Sequence, residues 1–234
     1  MQRRKFLESC AVVSGATALS SFSIAWGAVP PRLYARTRLV DPNGEPLKAR
    51  TLATRTNYVF HYPFAGTPCF LLRLGQAVTS PVTLQREDGE SYAWTGGVGP
   101  GRAIVAFSAI CAHKLAYPTR EVSFIRYQKQ MSPTSGADMI HCCAEHSVYD
   151  PARGARVLSG PAPQPLAAIL LEYDGRADAL DALGTVGAEQ FDAFFGKYDF
   201  KLGMEYGQGK AQQPIGDRTV VRELTQYCRQ TIQC

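Results

Sequence analysis

Histidine is scarce in this chain, with four residues, at positions 61, 113, 141 and 146, among 234. None falls in the last 64 residues, after Leu170. That stretch therefore cannot supply the two imidazoles of a two-His-one-carboxylate iron site. Cys-x-x-Cys-His does not occur, which excludes covalently attached c-type haem. The charge excess is small as well. Lys and Arg exceed Asp and Glu by +5, and setting aside Arg3, Arg4, Lys5 and Glu8 leaves +3. That is too little to hold a nucleic-acid backbone, so no nucleic-acid partner is expected.

Cysteine, by contrast, is abundant, with seven residues. Cys10 lies near the N-terminus, Cys69 stands alone in an apolar run, and Cys228 and Cys234 sit in the tail, where they could form a disulfide in an oxidising compartment. The others fall beside histidines. Cys111-Ala112-His113 and Cys143-Ala144-Glu145-His146 each offer one thiolate and one imidazole within a short loop. Two Cys and two His could close a tetrahedral zinc site. Zinc sites, however, usually pair Cys with Cys and His with His, and here each half mixes the two.

The residues after the second box sharpen this reading. Ser147-Val148-Tyr149-Asp150-Pro151 leads through Arg153-Gly154 to Gly160-Pro161-Ala162-Pro163. From about Ile104 to Leu170 the chain resembles the Rieske family of 2Fe–2S proteins. The resemblance implies one Rieske-type 2Fe–2S cluster per chain, with Cys111 and Cys143 on the inner iron and His113 and His146 on the outer, solvent-facing iron. Two imidazoles in place of two thiolates remove negative charge and raise the reduction potential well above that of an all-Cys cluster. By the same resemblance Ser147 and Tyr149 donate hydrogen bonds to cluster and ligand sulfur, and Gly160, Pro161 and Pro163 belong to a loop that covers the cluster. His61 and His141 receive no role.

The second box admits two frames. Cys-x-x-His spacing selects Cys143. Alignment on Ser-Val-Tyr-Asp selects Cys142 instead, with one residue displaced before His146. The Cys–His spacing favours Cys143, and on that frame Ser147 follows His146 directly. Quinol-oxidising Rieske proteins often tie their two loops with a disulfide, at positions that read Ala116 and Glu145 here. A first box followed by Lys114, without that disulfide, looks more like the small subunit of arsenite oxidase and similar molybdenum oxidoreductases. Twenty-nine residues separate His113 from Cys143, room for an insertion such as Ser132 to Gly136.

Gln2-Arg3-Arg4-Lys5-Phe6-Leu7 is a twin-arginine sequence before a weakly apolar run from Cys10 to about Ala28. Such export carries folded proteins, which suits a cluster assembled beforehand, and it predicts a periplasmic location. The run would span roughly 28 Å as a helix, near the thickness of a bilayer core. It could stay as an anchor on the outer face of the inner membrane. Its Ser, Thr and Gly content makes it a poor permanent span and favours removal after the Ala25–Ala28 region.

About 205 residues would remain, enough for one substantial core. Short strand candidates at Asn57 to Tyr62, Cys69 to Leu74, Ala77 to Gln85, Ala103 to Ala109, Val122 to Tyr127 and Ala167 to Tyr173 alternate with Gly and Pro clusters. Asp41-Pro42-Asn43-Gly44 signals a hairpin. The reading is an all-β protein, an antiparallel β-sandwich base with a small cluster-binding subdomain and a partly helical C-terminal tail. Its expected divisions are a signal or anchor at 1–30, a Rieske domain at 31–180 with the cluster-binding part at about 105–166, and an extension at 181–234. Helical spacing marks Ala188 to Phe195 and Val220 to Cys228, and the Phe cluster reads as core.

The function implied is one-electron transfer, as the iron–sulfur subunit of a periplasmic or membrane-associated oxidoreductase rather than as a catalyst in itself. The expected redox partner is a large oxidoreductase subunit or a cytochrome. The alternatives are the Rieske subunit of a cytochrome bc complex that meets quinol, or a soluble periplasmic carrier. A Rieske oxygenase would need a large iron-binding catalytic domain, which the His-free tail cannot supply.

Overall fold

A computed structural model of the chain describes residues 29–234. The twin-arginine stretch and the apolar run lie outside the described residues. Eight strands form one sheet, in the spatial order Arg218–Val220, Arg32–Val40, Ala179–Val186, Ala168–Asp174, Ile104–Ser108, Pro68–Arg73, Asn57–His61 and Arg222–Glu223. All neighbours are antiparallel except Arg32–Val40 with Arg218–Val220. The two edge strands are separated only by Val221, so the sheet curls until its edges approach. Thr219 bridges the gap by donating its hydroxyl to the His61 carbonyl at 2.9 Å. Base, small subdomain and short helical region together give the mostly-β class expected, with the base made as one curled sheet.

The central strands are buried on both faces, which is why they read as unbroken apolar runs rather than as alternating ones. Cys69, Leu71, Ile104, Ala106, Phe60 and Leu180 fill the interior of the curl. Phe70, Leu72, Val105, Phe107 and Val59 face the opposite way. There they meet Leu84, Tyr92 and Trp94 from the hairpin Val82–Gln85 and Ser91–Trp94. They also meet Ile125, Tyr127, Ile140 and Tyr149 from a four-stranded sheet of Ile125–Gln128, Met139–Cys142, Ser147–Asp150 and Arg156–Ser159. That small sheet is the subdomain on which the second box sits. The Asp41 turn forms as read, with Gly44 at φ +86° and Leu47 N–H donating to the Leu39 carbonyl at 3.0 Å.

The tail holds both boxes. Helix Phe191–Tyr206 buries Phe191, Phe194, Phe195 and Leu202 against Ile110, Leu115 and Tyr117 of the first loop. Tyr117 meets the Phe194 ring edge-on at 4.8 Å, a favoured aromatic geometry. Gln190 Nε2 donates to the Ala112 carbonyl at 2.9 Å, and Lys197 Nζ to the Lys114 carbonyl at 2.6 Å. The Phe cluster is therefore core. From Val220 to Cys228 the chain is strand followed by a single helical turn, Leu224–Tyr227, because sheet-edge pairing with Asn57–His61 overrides the helical spacing. Beyond it, Gln230–Thr231 pairs in parallel with Val122–Ser123, carrying the last residues to the second loop. Among the described residues no helix is long and apolar enough to cross a membrane.

Candidate metal centre

The first box leaves the sheet at Ser108 and closes on itself. Cys111 N–H donates to the Ala116 carbonyl at 2.8 Å, and Leu115 N–H to the Cys111 carbonyl at 3.0 Å. This tight loop needs Leu115 at φ +61°, a strained conformation for a branched side chain. The second box is the tip of a hairpin. Cys142 pairs with Ser147 and Ile140 with Tyr149, leaving the four residues from Cys143 to His146 as the turn, with His146 at φ +58°.

Alternation along these strands sorts the side chains. Successive residues of a strand point to opposite faces. Ile140, Cys142 and Tyr149 enter the main core beside Cys111. Cys111 and Cys142 are both fully buried and free of disulfides, and they lie in one core cluster. The neighbouring Cys142 thiol, and then the Tyr149 hydroxyl, push the Cys111 thiol down to about 6 against the effect of burial. The same contact and burial push Cys142 up. Tyr149 Oη accepts the Ala112 N–H at 3.2 Å and lies 3.4 Å from Cys111 Sγ, so its own proton can go to sulfur. Burial, and then the Cys111 charge, push the Tyr149 phenol up, keeping it a donor.

Cys143 does not join this pair. It lies on the other face and forms a disulfide with Cys234, so the structure brings Cys142, and not the expected Cys143, beside Cys111. The physical reason is strand parity. A one-residue offset turns a side chain to the opposite face, and only Cys142 shares the face of Ile140 and Tyr149. The same bond replaces the Cys228–Cys234 pairing considered from sequence. Cys228 is free and buried, its thiol donating to the Gln230 carbonyl at 2.9 Å.

His146 also departs from expectation. Its ring lies 5.8 Å from that of His141, on the side of Cys234. Opposite His113 stands Glu145 instead, with Oε2 3.9 Å from His113 Nδ1. That nitrogen is buried and has no hydrogen-bond partner. His141, His146 and Cys234 place potential ligand atoms within 4.8 Å of one another. Cys234 sulfur is spent in the disulfide, however, so this group offers two imidazoles and no thiolate.

Ser147 is fully buried, and its hydroxyl lacks any partner. It stands directly across from Cys142, and an orphan donor at that point awaits an acceptor. Gly160, at φ +88°, lies against the second loop. A Cβ there would come within 2.5 Å of the His146 carbonyl oxygen and 2.6 Å of Ser147 Cα. Ala162 is buried in the same core as the sulfur pair, while Pro163 and Gln164 line a cleft with Ala112, His113 and Gln190. Pro161 follows Gly160 in this covering segment.

Two neighbouring thiols, an imidazole with an unsatisfied nitrogen, a carboxylate and an orphan hydroxyl thus converge between the two loops. The donors fall into a sulfur pair inside and a nitrogen–oxygen pair at the rim. This set fits a two-iron cluster, two thiolates for the buried iron and two harder donors for the outer one.

No family model matches the chain. It is similar to the crystallised soluble domain of Rieske protein II (soxF) from Sulfolobus acidocaldarius, at 27% identity over 65% of this chain and 78% of that one, with a TM-score of 0.47.

Proposed function

We propose that this protein is a Rieske-type iron–sulfur protein that transfers single electrons through one 2Fe–2S cluster held between the two loops. The observation that carries the reading is the buried Cys111–Cys142 pair under the Tyr149 hydroxyl, with His113 at the rim above it. When bound, such a cluster takes up and returns one electron at a potential set by its ligands and their hydrogen bonds. Cys111, Cys142 and His113 are three of its protein ligands, and the Cys143–His146 turn supplies the fourth. Tyr149, beside Cys111 Sγ, and the unpartnered Ser147 hydroxyl would donate to sulfur of a bound cluster and favour the more negative, reduced state. Gly160 to Pro163 keep water from the buried side. His113, a quarter exposed, gives the electron its exit to a partner protein.

The wider assignment is an iron–sulfur subunit of a periplasmic oxidoreductase of the molybdenum type. The twin-arginine sequence and the Cys143–Cys234 disulfide support export, since disulfides persist in oxidising compartments. Ala116 and Glu145, which cannot cross-link the loops, support this type over the quinol-oxidising one.

The test is iron and acid-labile sulfide analysis of purified protein, with electron paramagnetic resonance after dithionite reduction. Two irons, two sulfides and a rhombic spin-half signal are expected. Stoichiometric zinc with a silent spectrum would replace electron transfer by a structural metal site.

A further inference from the structure

We propose that an arginine-lined groove at the seam of the curled sheet is a docking site for an acidic segment of a partner protein. The inference goes beyond the electron-transfer reading and stands without it. No residue from Cys111 to Ala116 or from Cys142 to His146 lines the groove.

The groove encloses about 790 Å³ and is lined by Arg120, Arg218, Arg222 and Arg229, with no Asp or Glu. Strand alternation sets the first pair. Thr219 and Val221 are buried, while Arg218, Val220 and Arg222 between and beside them are exposed, as successive residues of an extended chain must be. A backbone contact sets the second pair. Arg229 N–H donates to the Arg120 carbonyl at 2.9 Å, which joins the tail to the loop before Val122. Arginines from three segments of the chain thus border one hollow.

These arginines differ from the others in lacking acidic partners. Elsewhere Arg32, Arg36, Arg38, Arg55 and Arg86 each contact a carboxylate. Among the described residues no carboxylate lies at ion-pair distance from Arg120, Arg222 or Arg229, and Arg218 has only the exposed Asp217, at 3.8 Å. Like charges around a hollow repel one another, and a bound anion offsets that cost. Guanidinium forks match carboxylates two hydrogen bonds at a time.

Spacing selects the kind of anion. Arg218 and Arg222 stand on Cα atoms about 13 Å apart along extended chain. Carboxylates spread along a polypeptide match such an array better than one compact ion does. Exposed Val220 lies between the two and adds an apolar contact. The cleft beside His113 shares none of these residues, so a partner seated in the groove leaves His113 uncovered.

The test is fluorescence anisotropy of a labelled hexaglutamate peptide titrated with the purified protein at low salt. Saturable binding is expected, and it should weaken steeply as salt rises. Arg222→Gln and Arg229→Gln should each weaken it about threefold, and the double variant about tenfold. Arg222→Lys, which keeps the charge, should keep most of the affinity. Arg176→Gln, which removes a charge outside the groove, should bind as the wild type does. Absence of binding by the wild type, or equal losses in Arg176→Gln and the double variant, would overturn the proposal. Displacement of the peptide by inorganic phosphate, where chloride of equal ionic strength has no effect, would make the groove a small-oxyanion site instead. Tighter binding to phosphatidylglycerol vesicles than to the peptide would make it a membrane contact. All of these outcomes leave iron and sulfide content, and with it the electron-transfer reading, untouched.

Discussion

On one face of the second hairpin, Ile140, Cys142 and Tyr149 pack into the core beside Cys111, with Ser147 opposite Cys142. On the other, His141, Cys143 and His146 gather around Cys234. The two faces use the same residue types for opposite purposes. The inner sulfurs stay unbonded and buried in one core cluster. The outer sulfur is consumed in a cross-link that pins the tail to the loop. Residue type and spacing nominate ligands, but strand parity decides between neighbours, and adjacent cysteines cannot both face the same way.

The strongest way to break this comparison is to remove one sulfur from each face. Cys142→Ser should abolish the cluster, with complete loss of its visible absorption and of bound iron. Cys143→Ser should keep iron and sulfide at wild-type levels. The reverse pattern would return the ligand role to Cys143 and require the hairpin to shift register.

The outer face makes its own prediction. The Cys143–Cys234 bond closes a loop spanning 91 residues. The loss of unfolded-chain entropy from such a link corresponds to roughly 4 kcal/mol of stability. Cys234→Ser should lower the unfolding free energy from denaturant titration by a comparable amount, and reductant should destabilise the wild type while leaving this variant unmoved. Equal sensitivity of both proteins to reductant would show that the tail is held by its strand pairing with Val122–Ser123 alone.

How much of this was legible follows from the same contrast. Cys111, His113 and Tyr149 have no neighbour of their own kind, so the motif points at single residues. Cys142 and Cys143 stand together, and the Cys–His spacing selects the one that the structure turns away from Cys111. A signal was present. Ile140 is apolar and His141 polar, so period-two alternation puts Cys142 on the core face, and alignment on Ser-Val-Tyr-Asp selects Cys142 as well. The all-β class could be read from short apolar runs bounded by Gly and Pro. The closure of the sheet and the anchoring of the tail could not. They depend on Arg222 pairing with Val59 and on Gln230 pairing with Val122, contacts between distant segments that no local pattern records.

A second anchor of the tail can be compared with the disulfide. His61 is partly buried, with Nε2 3.3 Å from both the Tyr206 and the Tyr227 hydroxyls. Burial, with a smaller effect from Arg120, pushes its pKa down to about 4. The unfolded chain, with an ordinary imidazole near 6.5, therefore binds more protons than the folded one between these values. The stability held by neutral His61 is present above about pH 6.5 and is lost as pH falls toward about 4, by about 3 kcal/mol in all. Chemical denaturation at stepped pH should show this decline, and His61→Gln should flatten it. A decline that survives the substitution would assign the acid sensitivity to other groups.

The smallest effect probes the inner face most finely. Tyr149 reaches Cys111 Sγ at 3.4 Å and is held in place by the Ala112 N–H. Its hydroxyl stabilises charge on sulfur more in the reduced than in the oxidised cluster. Tyr149→Phe removes that donor while keeping the buried ring. The potential should fall by roughly 40 mV, the one-electron equivalent of about 1 kcal/mol of hydrogen bonding, with the iron content unchanged. Cys143→Ser, which touches only the outer face, should leave the potential where it is. A shift of similar size in both variants would mean that the two faces are electrically coupled through the loop. In that case parity would separate their covalent chemistry but not their influence on the cluster.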